Sequence, residues 1–110
     1  ETIISGGVNI YPQETDDVLL KHAAVGDVCT VGIPSEEWGE EVRSVVMLKS
    51  PTEDNAAVVQ ELIAFCRDHL PHFKCPRSID IVDELPRLPS GKIQRKVVRA
   101  PYWEGRKRQI

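Results

Sequence analysis

Between residues 12 and 22, Thr15, Val18, Leu19 and His22 fall at i, i+3, i+4 and i+7, one face of a helix. Pro12 suits the first helical position, where its missing N–H has no partner to lose. The spacing predicts a helix over 12–22. A second stripe, Val59, Leu62, Ile63, Cys66 and Leu70, predicts a helix over roughly 55–70 that Pro71 ends. Between them, Val25, Val28, Val31 and Ile33 lie in a β-branched stretch stopping at Pro34-Ser35, and Val42 to Leu48 forms another. These are expected as two antiparallel strands, joined by the acidic turn PSEEWGEE with Trp38 at its exposed tip. Ser78 to Val82 alternates polar and apolar residues, as a strand does.

At the start, TIISGGVNIY sets Ser-Gly-Gly between two short apolar runs, the pattern of a tight hairpin. Near the end, the two prolines and Gly91 of LPRLPSGK predict a loop, and Ile93 to Ala100 a short helix before Pro101. The expectation is an α+β fold, a small three-stranded sheet covered by helices in the order β-α-β-β-α-β-α, with an N-terminal two-stranded hairpin. Its core would come from Val18, Leu19, Val31, Val45, Val46, Leu62, Ile63 and Ile81. No repeat or low-complexity tract interrupts the pattern.

Composition narrows the function. A length of 110 residues with 41% hydrophobic content suits one compact domain. The formal charge of −3 excludes a generally basic nucleic-acid binder, and no apolar run approaches the roughly 18 residues of a membrane span. The charge is uneven: residues 84–110 hold eight Lys/Arg against Glu84 and Glu104, a net +6 that leaves −9 for residues 1–83. Arg106, Lys107 and Arg108 read as a solvated end. Cys29, Cys66 and Cys75 form no CxxC pair, and reduced thiols in a cytoplasmic protein fit best, with no sign of a secretory leader.

Candidate chemistry is sparse when taken motif by motif. The Gly91-Lys92 pair is not a phosphate-binding P-loop, because Pro86 and Ile93 stand where that loop needs glycine and Ser/Thr. His22, His69 and His72 lack metal-ligand spacing, so no metal site is expected and all three read as structural. Cys29 and Cys66 sit at core positions, where cysteine behaves as a small hydrophobe. Cys75 beside Lys74 is the best placed of the three to be reactive, but nothing in the sequence supplies the exposure and depressed pKa a functional thiol needs.

The combination carries more. SGGVNIYPQE, VGIPSEEWGEEV, FCRDHLPHFKCP and LPRLPSGKIQRKVVR, in this order and spacing, resemble the C-terminal domain of acyl-CoA synthetases, acid-thiol ligases of the adenylate-forming superfamily that includes peptide-synthetase adenylation domains and luciferase. The likeness covers Ile3 to Arg99. Thr15, where Ile or Val is common, Ala23, where Pro is common, and Cys75, where a basic residue is frequent, depart from it. The resemblance implies a mobile domain of a larger, cytoplasmic enzyme of fatty-acid or related metabolism, with its hinge just upstream and its large N-terminal adenylation domain outside this chain.

It also implies the substrates and the roles. ATP and a carboxylic acid would form an acyl-adenylate, and CoA would then take the acyl group, with Mg2+ held through the large domain. Lys92 would be the catalytic adenylation lysine, and also a target of a lysine acetyltransferase, since Pro86 to Lys92 reads P-x-x-x-x-G-K. Ser5, Gly6, Gly7, Trp38, Phe73, Lys74 and Arg77 would bind CoA. The isolated domain would be inactive. Two other readings stay open: a stand-alone interaction module using the basic tail, and an adenylate-forming enzyme with a different acyl acceptor.

Overall fold

The computed structural model describes residues 1–105. Two short strands, β1 (Ile3–Ser5) and β2 (Val8–Ile10), form the expected hairpin. Gly6 and Gly7 both take the left-handed conformation, with φ of 56° and 80°, which a two-residue hairpin turn of this hand demands and a side chain resists. Helix α1 (Pro12–Leu19) follows, then β3 (Val25–Ser35) and β4 (Gly39–Leu48), paired antiparallel from Val25 opposite Leu48 to Ser35 opposite Gly39. Helix α2 (Asn55–His69) is capped by Asp54, whose carboxylate accepts the Ala57 N–H at 3.0 Å. A 3-10 turn at His72–Lys74 leads to β5 (Ser78–Ile81), which runs parallel to β4, and α3 (Arg95–Trp103) closes the described chain.

The strands join into one sheet. One edge of β4 takes β3 along its length; the other is shared by β1, through Ser5 opposite Gly39, and by β5, through Arg43–Val46 opposite Ser78–Ile81. The hairpin is therefore continuous with the three-stranded core rather than appended to it.

Both faces of the sheet are covered. Val28 and Val46 pack with Val18 and Leu19 of α1 and Leu62 and Cys66 of α2, while Cys29, Val31, Ile33 and Val45 pack with Val98 of α3. Of the expected core, Val18, Leu19, Val46 and Leu62 fall in the first cluster and Val31 and Val45 in the second, with Ile63 and Ile81 packed partly buried against the first. A third, smaller cluster of Ile3, Ile10 and Val42 holds the hairpin down.

Two helix boundaries differ from the periodicity. Helix α1 stops at Leu19 because the next N–H groups bond three residues back, Lys21 to Val18 and His22 to Leu19, and the His22 ring turns to accept the Ala24 N–H at 3.0 Å. Helix α3 starts at Arg95 because Ile93 is held in an antiparallel bridge to Arg87. It then runs through Pro101 instead of ending before it. Two anchors hold the last turn against that proline: the Tyr102 hydroxyl donates to Asp80, and the Trp103 indole donates to the Gly32 carbonyl at 2.8 Å.

The outer edge of β3 is closed by a buried ion pair. At Thr30 the backbone N–H donates to Asp16 of α1 at 2.7 Å, and the carbonyl accepts from Arg95 of α3 at 2.7 Å. Asp16 and Arg95 meet at 2.9 Å, 3% and 6% exposed respectively. An edge strand thus keeps its polar backbone paired without another strand, and two helices are tied across it.

A lysine turn and a groove at opposite ends of the sheet

Lys92 sits exposed on a tight reversal. The Gly91 N–H donates to Leu88 O at 2.8 Å, Leu88 N–H to Lys92 O at 2.9 Å, and Gln94 N–H to Pro86 O at 3.0 Å. Gly91, with φ of 91°, supplies the left-handed residue this reversal needs. The expected loop is thus a small hydrogen-bonded hairpin. Arg87 braces it: Nε and Nη2 meet the two oxygens of Asp27 at 2.9 and 2.6 Å, and Nη1 donates to the Gly91 carbonyl. Burial acts to raise the Asp27 carboxyl, but hydrogen bonds from Arg87 and the Val28 N–H together hold it below the usual carboxylate range. Three residues beyond the lysine, Arg95 anchors the other flank in its buried pair with Asp16.

The second candidate region lies at the far end of the β3–β4 ribbon. Here Ser5, Gly6, Val8, Ile10, Trp38, Val42, His72, Phe73, Cys75 and Arg77 line a groove of about 250 Å³. The Gly6 N–H donates to the Trp38 carbonyl at 2.8 Å, and a methyl group added at Gly6 would meet the indole at 2.9 Å. Trp38 is therefore 40% exposed but packed across the glycine turn, and the Arg77 guanidinium lies 5.8 Å from its ring centre. The buried Glu40 stitches this end together by accepting the Ile4 N–H at 3.2 Å and facing Arg99 at 3.8 Å.

Of the residues expected to bind CoA, Ser5, Gly6, Trp38, Phe73 and Arg77 converge on the groove. Gly7 shapes the adjoining turn without lining it. Lys74 instead pairs with Glu14 at 2.7 Å, its ammonium 5.8 Å from the Phe73 ring. The Thr15 departure is accounted for here, since its buried hydroxyl donates to the Lys74 carbonyl at 2.9 Å. His72, read from sequence as structural, lines the groove; His22 does bind within the fold, meeting Glu61 at 2.7 Å, and His69 stacks on Phe65.

Cys75 is not an activated thiol. It is buried, its thiol turned toward the carbonyls of Leu70 and Pro71, and burial pushes its pKa up, opposite to an activated thiol. Burial likewise pushes Cys29 and Cys66 to about 12. No His, Cys, Asp and Glu cluster among the described residues could hold a metal, and none of the described helices is long and apolar enough to cross a membrane. Arg106, Lys107 and Arg108 lie outside the described residues.

Comparison with known proteins places this geometry. Residues 14–92 match the model of the AMP-binding enzyme C-terminal domain. The whole chain aligns at 37% identity with a medium/long-chain-fatty-acid–CoA ligase of Mycobacterium tuberculosis, spanning 20% of it. Over 90% of the chain it is 39% identical to a long-chain-fatty-acid–CoA ligase of Salmonella typhimurium, spanning 17% of that enzyme. The crystal structure of an acyl-CoA synthetase of Brucella canis superposes with a TM-score of 0.89 at 37% identity, over 96% of this chain and 19% of that one. The chain spans about a fifth of the length of these relatives, which are ligases and give no support to a stand-alone interaction module. Sequence match and superposition agree, and the chain belongs to the AMP-binding enzyme C-terminal domain family, the small domain of acyl-CoA synthetase-like adenylate-forming enzymes.

Proposed function

We propose that this domain serves an ATP-dependent, AMP-forming acid-thiol ligase, supplying Lys92 to the first half-reaction and the Trp38 groove to the second. The observation that carries the reading is the separation of the two regions. Asp27, which braces the lysine turn, and Ser35, which accepts the Trp38 N–H at 3.1 Å, lie eight residues apart on one strand. At roughly 3.3 Å per residue that is about 26 Å. One rigid domain cannot bring both ends to a single reaction centre, so it must turn between the two steps.

In the first step a carboxylate oxygen attacks the α-phosphorus of ATP and pyrophosphate leaves. Both partners are anions, and a lysine on a braced turn offsets their repulsion while orienting the attack. Arginine is larger and fork-shaped, so Lys92→Arg also loses activity. In the second step the CoA sulfur attacks the acyl carbonyl and AMP leaves. Ser5 and Gly6, with Gly7 shaping the turn, would line the approach of the pantetheine arm. Trp38 and Phe73 offer aromatic faces to the nucleotide, Arg77 a cation to its phosphates, and Lys74 a second cation at the margin. Mg2+ would be held through the large domain, where it would offset the charge of the ATP phosphates.

Free thiols suit a cytoplasmic setting, and the exposed Lys92 amine is accessible to an acetyltransferase, which would cancel its charge. The test is made in the full-length enzyme, with the two half-reactions assayed separately. Lys92→Ala is expected to lower acyl-adenylate formation by at least about 10²–10³-fold while thioester formation from supplied acyl-adenylate persists and still requires CoA. Equal loss of both half-reactions refutes the assignment.

A further inference from the structure

We propose that Arg87 and Asp27 form a positioning clamp for the adenylation lysine, holding the Gly91–Lys92 peptide at a fixed height above the sheet so that the amine enters the reaction centre already oriented. The inference rests on the reading of Lys92 given above. Neither residue would touch substrate; both act through the turn.

The geometry is unusually complete for a surface contact. All three guanidinium nitrogens of Arg87 are engaged, two on the carboxylate of Asp27 and the third on the carbonyl of the residue just before Lys92. Asp27 is itself fixed, since the oxygen that receives Nη2 also accepts the Val28 N–H at 2.9 Å. An exposed ion pair contributes little to stability, but a forked one fixes direction. Arg87 is 42% exposed in its side chain and Asp27 17%, so orientation rather than folding free energy is what the contact supplies.

The sheet is altered to deliver Asp27 to this place. In a regular strand Val25 and Asp27 would share a face. Here the pairing slips between them, leaving Gly26 as an extra residue against β4. Val25 consequently packs in the core with α1 and α2, while Asp27 faces the opposite side, beneath the lysine turn. Bulges of this kind re-aim side chains beside functional sites. The other flank of the turn is held by Arg95, so the lysine lies between two anchors on the same strand, at Asp27 and at Thr30.

The test uses the full-length enzyme with both half-reactions assayed separately. Arg87→Gln is expected to lower kcat for adenylation by about 10–10²-fold, with KM for ATP and acid changed less than about twofold and thioester formation from supplied acyl-adenylate unchanged. Arg87→Lys, which can meet Asp27 but cannot also fork to the Gly91 carbonyl, falls between. Asp27→Asn combined with Arg87→Gln is no worse than Arg87→Gln alone, because the two act as a unit. A merely structural role would lower both half-reactions together, and that result overturns the clamp. Undiminished adenylation in Arg87→Gln, beside a Lys92→Ala variant that has lost it, also overturns the clamp and spares the reading of Lys92. Undiminished adenylation in Lys92→Ala overturns both.

Discussion

The two ends of the β3–β4 ribbon are built by different physics. At one end a single exposed amine is carried on a hairpin held by charge: Arg87 on Asp27 on one flank, Arg95 on Asp16 on the other. At the other end there is a groove, floored by a glycine turn and walled by Trp38, Phe73 and the buried Cys75, with Arg77 at its rim. The first suits a task in which one charge must be at one point; the second suits wrapping a ligand with apolar and cationic parts. Under the proposed function, the contrast would let one domain serve two steps without internal rearrangement, since each end is already held by its own contacts.

Breaking what the two ends share should produce the largest effect. The Asp16–Arg95 pair ties α1 to α3 across the edge of β3, between the lysine turn and the groove. Removing one partner of a buried pair leaves the other uncompensated at a cost of about 3–5 kcal/mol. Asp16→Ala is therefore expected to lower the urea-unfolding free energy of the chain by that amount, and to reduce both half-reactions of the full-length enzyme together. A loss below about 1 kcal/mol would mean that the pair is not the common anchor.

A smaller change should separate the ends. Gly6→Ala must place a side chain at φ 56° and 2.9 Å from the Trp38 ring, straining the turn and displacing the indole. Loss of an aromatic stacking face is worth about 0.5–1.5 kcal/mol, so the KM for CoA should rise about two- to tenfold. Adenylation, proposed for the lysine turn about 26 Å away, should keep its wild-type rate. Steady-state kinetics of the two half-reactions measure both quantities, and an equal fall in each would erase the distinction between the ends.

Which parts of this were legible in the sequence follows from how far each signal reaches along the chain. Helix α2, the β3–β4 pair and the Gly6-Gly7 hairpin were readable because period and turn chemistry are local. The braces were not. Arg87 and Asp27 are 60 residues apart, and Arg95 and Asp16 are 79 apart; each reads as an ordinary polar residue until the fold joins them. One local signal did exist: Gly26 inside a β-branched run marks a bulge, and a bulge predicts that the next polar residue is re-aimed. The state of Cys75 was not legible either, because it depends on exposure and on where Lys74 points; the lysine turns to Glu14 and the sulfur into the protein. Periodicity was silent on Lys92 and on the groove, which came into view through ordered motifs whose spacing resembled a family.

The finest test concerns the pH dependence of the charged end. Hydrogen bonds from Arg87 and the Val28 N–H hold Asp27 below the usual carboxylate range, so its ionised form is favoured by folding. A carboxylate with a depressed folded-state pKa contributes stability that is full above its unfolded value, about 3.9, and lost as the pH falls through the lowered folded value. The pair is partly exposed, so the difference in unfolding free energy between wild type and Asp27→Asn should stay under about 1 kcal/mol at pH 7. That difference should shrink only once the pH drops below about 4, and 0.5 M salt should reduce it at neutral pH through screening. Gly6→Ala removes no charged group, so its stability difference should vary less over the same range than that of Asp27→Asn. Urea titrations of the three chains at several pH values decide the matter. A wild-type minus Asp27→Asn difference that grows on acidification would have the wrong sign for a clamp built on an ionised Asp27.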